Sequence, residues 1–220
     1  MRAVIPLVLA SASPARLATL RSAGVDPEVI VSGVDEEAAL AEAERGGAGP
    51  LTLDDVPLAL ARAKGEHVAA RLLAEGRRAP LVLGCDSVLE LDGVVHGKPR
   101  DAAQAVQRWR RMRGRSGVLH SGHWLVDQRF AGHERHLGAT ASTTVHFADL
   151  SDAEVEAYVA TGEPLHVAGA FTVDGLGGPY VTRIEGDYHA VVGVSLPLVR
   201  DLVTELGHAW HDLRRSPHTT

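Results

Sequence analysis

A short, continuous apolar run from Ala3 to Ala10 stops at residues suited to a turn, and so reads as a central strand. Ser13 follows as a helix cap with Pro14 in the first helical position, and Gly24 closes that helix. A chain that begins strand, then capped helix, is constrained towards an α/β fold. The rest of the chain keeps that alternation. Residues 28–34 read as a second strand. Gly-rich 46–49 is a loop, and a helix runs from Asp54 and Asp55 to about Gly76, with Pro57 tolerated in its first turn. Residues 81–91 form a strand, Asp92-Gly93 a hairpin turn and Val94-Val95 the return. Asp101 opens a helix that Gly114 ends, and strands follow at 117–127 and 138–148. Ser151-Asp152-Ala153-Glu154 has the capping-box pattern for a helix through Tyr158. A strand-and-loop region over 166–195 precedes a last helix from Pro197, and Arg214 to Thr220 reads as a disordered tail. No repeat or clean boundary divides residues 1–213, which are expected to form a single domain.

The start of the chain has a competing interpretation. Arg2, the apolar run and Ala10-Ser11-Ala12 resemble a signal peptide with its cleavage site, which would make the protein secreted. Pro6 interrupts the apolar run and the basic region is a single Arg, so a strand and a cytoplasmic location are expected instead. No run of about 18 apolar residues is present for a membrane span. A net charge of −6 argues against a nucleic-acid coat, which needs a cationic excess. Cys85 is the one cysteine, excluding an intrachain disulfide or a thiolate zinc cluster, and its apolar strand makes it core packing. His120 with His123, and His133 with His136, are three apart in strands and turns and face opposite ways. They are expected at the solvated surface. Arg108, Arg110, Arg111, Arg113 and Arg115 read as a solvated helix face, with an acidic partner surface as runner-up.

Chemistry concentrates in three places. Ser11-Ala12-Ser13-Pro14-Ala15-Arg16 links a strand to a helix start, where free N–H groups favour an anion by about 0.3–1 kcal/mol. Taken alone, that segment is better explained by plain helix capping with a surface Arg. Apolar Leu81-Val82-Leu83 runs straight into Gly84-Cys85-Asp86-Ser87 and so brings in a carboxylate that is costly to bury unpaired. Asp86 there either binds a cation or activates water, or is held by backbone donors. Lys64, Lys98 in Gly97-Lys98-Pro99, and Asp35-Glu36-Glu37 supply further charges.

Taken in order, these segments resemble the Maf family, also called septum-formation inhibitor proteins. The family pattern comprises Ser-x-Ser-x-x-Arg, an acidic pair, Leu-Ala-x-x-Lys, Gly-x-Asp-[Thr/Ser] and Gly-Lys-Pro. Then come Tyr-[Val/Ile]-x-x-Gly-Glu-Pro, Ala-Gly-Ala-[Tyr/Phe] and Val-Val-Gly. This chain has Ser11, Ser13 and Arg16; Asp35-Glu36; Leu60-Ala61 with Lys64; Gly84-Cys85-Asp86-Ser87; and Gly97-Lys98-Pro99. It continues with Tyr158-Val159, Gly162-Glu163-Pro164, Ala168-Gly169-Ala170-Phe171 and Val191-Val192-Gly193.

The resemblance implies an elongated α/β fold of the inosine-triphosphate-pyrophosphatase type: a mixed sheet flanked by helices, with two lobes around a nucleotide cleft. It implies hydrolysis of a nucleoside triphosphate to monophosphate and pyrophosphate, with Mg²⁺ or Mn²⁺ as cofactor. The expected partner is that nucleotide, with no nucleic acid or membrane, and a homodimer is compatible with it. Asp86 is implied as the proton acceptor for the attacking water. Ser11, Ser13, Arg16, Lys64 and Lys98 are implied as triphosphate ligands, and Glu36 and Asp86 as residues near the metal. Such a set suits a substrate carrying about four negative charges. The alternative is a nucleotide-binding regulator of septum formation without significant turnover. Ala15 and Val167 stand where the family often has Arg and Lys. Asp174 stands where uridine- and thymidine-triphosphate enzymes of the family carry Gln, and family members acting on 7-methylguanosine triphosphate resemble this chain in having an acidic residue there. Asp174 and Ser87 are the expected determinants of base preference.

Overall fold

The computed structural model describes residues 4–47, 50–77, 79, 81–129 and 134–214. Its strands are β1 (Leu7–Ala10), β2 (Glu28–Val29), β3 (Leu81–Leu91), β4 (Val94–His96), β5 (Ser116–Asp127), β6 (Arg135–Phe147) and β7 (Val181–Glu185). They make one mixed sheet in the order β2-β1-β3-β5-β6-β7, with β4 also paired to β3. The pairs β1–β2 and β1–β3 are parallel, and every other pair is antiparallel. The helices are α1 (Pro14–Ser22), α2 (Glu36–Gly46), α3 (Asp55–Ala74), α4 (Ala102–Met112), α5 (Asp152–Ala160), α6 (Tyr188–Val192) and α7 (Leu196–Glu205). This is the expected α/β class, a mixed sheet flanked by helices.

Strand lengths create the main feature. β1 covers β3 only from Leu81 to Gly84, and β4 covers the same edge only from Leu89 to Leu91. β5 lies along the other edge from Leu81 to Glu90. The edge of β3 is therefore left open over residues 85–88, a notch between two parts of the sheet. The core divides accordingly. On one side Leu7, Leu9, Leu81 and Leu83 pack with Leu20 of α1 and Val199, Leu202 and Val203 of α7, while Val8, Ala10 and Val82 pack beneath Val68, Ala69 and Leu72 of α3. On the other side Leu89, Leu91 and Leu119 pack with Trp109, Phe147, Tyr158 and Phe171. Trp109 meets Phe147 and Tyr158 edge-on at 5.7 and 5.5 Å, the favoured aromatic arrangement. These are the two expected lobes, and β3, β5 and β6 run through both.

Several expectations are corrected. The second strand ends at Val29 rather than 34, because β1 stops at Ala10 and Ile30 makes the last ladder contact, its N–H donating to Leu9 O at 3.1 Å. The acidic stretch after it does start a helix, α2, as one reading of those residues has it, and its cap Asp35 accepts from Ala38 N. The 166–195 region contains α6 as well as β7. His120 and His123 are buried, not solvated, because the face of β5 that each occupies is covered; His133 lies outside the described residues. The arginine run is exposed at Arg110, Arg111 and Arg115, as expected, except that Arg108 is buried and the others are ion-paired. Arg110 and Arg113 pair with Asp152, and Arg111 and Arg115 pair with Asp92. Leu213 closes the first lobe's core, and residues 215–220 of the expected tail lie outside the described residues. Among the described residues no helix is long and apolar enough to cross a membrane.

Candidate active site

The chain winds in opposite directions from β1, through α1 to β2 on one side and through α2 and α3 to β3 on the other. α1 buries Leu20 with the Leu81 and Leu83 face of β3, while α3 packs on the Val82 face. The carboxyl end of such a strand is where open α/β sheets form a ligand crevice. Here that end is Ala10, beside the notch.

Alternation along β3 sends Gly84 and Asp86 to the α3 face and Cys85 and Ser87 to the opposite face. Gly84 lets α3 lie almost in backbone contact with the strand, since a Cβ there would stand 2.0 Å from Ala61 O and 2.8 Å from Gly65 N. Gly122, opposite Asp86 on β5, is equally close to Pro57. This approach brings Lys64 over the notch. Its Nζ bonds Asp86 Oδ1 at 2.5 Å and Glu36 Oε1 at 2.7 Å, from the first turn of α2. The Asp86 and Lys64 side chains are only 13% and 14% exposed. Burial raises the Asp86 carboxyl above its ordinary range, and the Lys64 and Arg16 charges oppose this without cancelling it. Burial works against the Lys64 ammonium, but Asp86 and Glu36 more than compensate and raise it.

The Ser11–Arg16 loop lies at the same strand end. Ser11 is buried, its Oγ accepting from Ser13 N at 3.2 Å, while Ser13 caps α1 by accepting from Arg16 N at 3.4 Å. Arg16 enters the notch and fills the role of the missing strand. Its Nη1 donates to Cys85 O at 2.8 Å and to Ser11 Oγ at 3.0 Å, its Nε to Gly193 O at 2.8 Å, and its Nη2 to Ser87 Oγ at 3.0 Å. Four of about five guanidinium N–H groups are thus engaged with protein. Ser87 passes its own proton to Ser121 Oγ at 2.8 Å, because the Ser121 hydroxyl is committed to Ala190 O. Cys85 is fully buried, and burial pushes its thiol up to about 12, as expected of core packing.

Lys98 is exposed just beyond β4. With His96 opposite Leu89, the chain leaves β4 heading along the open edge of β3. Gly97 is fixed there, its carbonyl accepting from Arg108 Nη1 at 2.6 Å and from Gly169 N at 3.1 Å. Asp174 is exposed on a loop of the second lobe. The structure therefore unites Glu36, Lys64 and Asp86 by direct contact and Ser11, Arg16 and Ser87 by a second network. Lys98 stands at the turn after β4, and Asp174 belongs to neither network.

Sequence reasoning missed four contributors. His123 accepts from Ser195 N at 2.8 Å through Nε2, so its Nδ1 carries the proton and donates to Ser121 O at 3.0 Å. Burial, aided by the Arg16 charge, lowers its imidazole to about 4 and keeps it neutral. Ser121 donates to Ala190 O, 69 residues on, while Arg108 holds Gly97 O and Glu163 holds the nearby 172–178 loop. In the sequence Glu163 is a motif position with no assigned task, His123 and Arg108 read as solvated, and Ser121 carries no signal. A groove of about 830 Å³ between α2 and α3, lined by Leu51, Leu58, Arg62 and Trp124 among others, contains none of the expected site residues.

The site thus sets a buried carboxylate between the Lys64 and Arg16 charges, in the crevice of an α/β sheet. The chain belongs to the Maf family: the family described as "Maf-like protein" matches residues 6–206. A protein of Salinispora tropica named nucleoside triphosphate pyrophosphatase is 60% identical over 91% of this chain and 83% of its own length. Proteins of the same name from Leifsonia xyli subsp. xyli and Streptomyces coelicolor are each 53% identical, over 94% and 91% of this chain and 95% and 90% of theirs. A solved nucleoside-triphosphatase / dITP/XTP pyrophosphatase of Mycobacterium abscessus is 17% identical over 92% of this chain and 95% of that one. Its TM-score is 0.34, too low for residues to be carried across.

Proposed function

We propose that this chain is a nucleoside triphosphate pyrophosphatase in which Asp86 is the general base. The observation that carries this reading is the Glu36–Lys64–Asp86 contact at the notch, beside the Ser11–Arg16 loop. A binding-only protein has no use for a general base, and a buried carboxylate whose pKa is raised by burial suits that task. In the reaction, Asp86 accepts the proton of a water whose oxygen attacks the α-phosphorus. The bond from that phosphorus to the bridging oxygen breaks, and pyrophosphate leaves with the bond's electron pair. Ser11, Ser13, Lys98 and the remaining Arg16 donor hold the phosphate chain. Lys64, charged and shared by two carboxylates, is placed to neutralise phosphate oxygens as the substrate enters.

Glu36 and Asp86 also fit a divalent ion. Two carboxylates brought together at Lys64 Nζ offer the hard oxygen donors Mg²⁺ or Mn²⁺ takes. Among the described residues no third His, Cys, Asp or Glu joins them. When bound, such an ion would screen the phosphate charge.

For the base, Asp174 is the proposed reader. An ionised carboxylate only accepts, matching the adjacent N–H donors of guanine or the amine of cytosine and repelling the carbonyls of uracil and thymine. Guanine-type or cytosine nucleotides are therefore the proposed substrates, and Ser87, already bonded to Arg16 and Ser121, contributes its remaining lone pair at most. Because the Ser11–Arg16 loop follows β1 directly, the reading also requires β1 to be retained, and the proposed location is the cytoplasm. The test is a panel of ordinary and modified nucleoside triphosphates with Mg²⁺ or Mn²⁺, with products identified. Monophosphate and pyrophosphate are expected; orthophosphate release overturns the proposal.

A further inference from the structure

Residues 172–178, Thr-Val-Asp-Gly-Leu-Gly-Gly, close around a single carboxylate. Glu163 begins a short 3-10 turn just after α5 and directs its side chain into this loop. Its Oε1 accepts from Thr172 Oγ1 at 2.5 Å, Tyr158 Oη at 2.9 Å and Gly177 N at 3.1 Å, and its Oε2 accepts from Leu176 N at 2.9 Å. Tyr158 reinforces the enclosure, its oxygen accepting from Thr172 N at 3.2 Å, and Trp109 Nε1 donates to the carbonyl of Ala170, two residues before the loop, at 2.7 Å. The glycines leave no space to spare. A Cβ on Gly175 would lie 2.5 Å from Glu163 Oε2, and one on Gly177 would lie 2.4 Å from Tyr158 Oη. Burial works to raise the Glu163 carboxyl, yet the bonds from Thr172, Leu176, Tyr158 and Gly177 outweigh it and hold the group below its usual range.

Asp174 sits midway between Thr172 and Leu176, two residues from each tether to the carboxylate. Its own side chain is exposed and, among the described residues, makes no hydrogen bond or ion pair. A carboxylate with no bond of its own is held at the apex of a loop whose two legs are both fixed. We infer that Glu163 is a positioning residue for nucleotide selectivity: it shapes loop 172–178 so that Asp174 is presented to the base in one geometry. This rests on the reading of Asp174 as the base reader. A glutamine in place of Glu163 can keep three donors on its oxygen only by turning its amide N–H₂ against Leu176 N–H. One leg is then released while the fold around Tyr158 remains.

The experiment compares kcat and KM for GTP, CTP, UTP and dTTP in wild type, Asp174→Asn, Glu163→Gln, Thr172→Val and the double variant Asp174→Asn/Glu163→Gln. The expected result is that Glu163→Gln compresses the ranking of the four nucleotides by about 10-fold, in the same direction as Asp174→Asn and through KM more than kcat. Thr172→Val, which removes one tether, gives a smaller change of the same sign. The double variant matches Asp174→Asn alone, since both act through one contact. If Asp174→Asn alters the ranking but neither Glu163→Gln nor Thr172→Val does, Glu163 does not position the loop and the base reading stands. If no variant alters it, the base reading itself fails and this inference falls with it. A loss equal for all four nucleotides, or additive effects in the double variant, assigns Glu163 a purely structural role and overturns the inference. Should Glu163→Gln not fold, Thr172→Val decides the same question.

Discussion

A methyl group at Gly84 would test how the site is assembled. Its carbon would lie 2.0 Å from Ala61 O, whereas Cβ contacts below 3.0 Å are essentially never found. Helix α3 must therefore retreat by at least about 1 Å, the difference between those distances, because both obstructing groups are backbone. Lys64 lies three residues beyond Ala61 and moves with it. A retreat of that size takes the 2.5 Å Lys64–Asp86 contact out of hydrogen-bond range. Misplacement by 1 Å costs about 10²-fold in rate, and overpacking a close-packed contact costs about 1–3 kcal/mol. Gly84→Ala is thus expected to lower kcat/KM for pyrophosphate release about 100-fold. It should also lower Tm by about 2–4 °C for each kcal/mol lost, as for a chain of this size. Gly46→Ala, with open space around its Cα, serves as the control and should change neither. A Gly84→Ala protein with wild-type Tm and kcat/KM within a few-fold of wild type would refute the claim that helix–strand contact sets the site.

Asp86→Asn keeps shape but cannot accept a proton, and should lower kcat by about 10²–10⁴ with the circular dichroism spectrum unchanged; a variant within a few-fold of wild type removes Asp86 from its role. His123 has a native pKa of about 4 against 6.5 when unfolded. Below pH 6.5 the unfolded chain binds a proton that the native protein refuses, so stability is lost as pH falls from 6.5 towards 4, by roughly 3 kcal/mol in all. Urea titrations across that range should show a flatter dependence for His123→Gln, and parallel curves would contradict the assignment. The Cys85 thiol, buried and pushed up to about 12, should resist a thiol-specific reagent at pH 8 in the native protein and react only once urea unfolds it. Rapid native labelling would place Cys85 at the surface instead.

Elements whose causes are local were legible in the residues. Ser13-Pro14 starts α1, Ser151 and Glu154 form a capping box on α5, and Asp92-Gly93 turns β3 into β4. Asp86, Lys64 and Glu36 could be named because each belongs to an ordered series of short motifs. That Lys64 touches both carboxylates could not be read, since it depends on α3 crossing β3 at Gly84 and on α2 packing beside it. The notch escaped notice for a related reason. It arises from the mismatch of a four-residue β1 against an eleven-residue β3, and a strand's end is set by where its neighbour stops. Arg16 spans 177 residues to reach Gly193 O, and Ser195 N reaches back 72 to His123. The histidines looked solvated because polarity describes a side chain alone. Burial depends on what the remaining chain lays over it, and a buried donor or acceptor is tolerated once a partner arrives. Sequence determined which local structures could form and which charges had to be accommodated. Tertiary packing decided which of those charges meet, because only long-range contact supplies the exclusion of water that shifts Asp86 and neutralises His123.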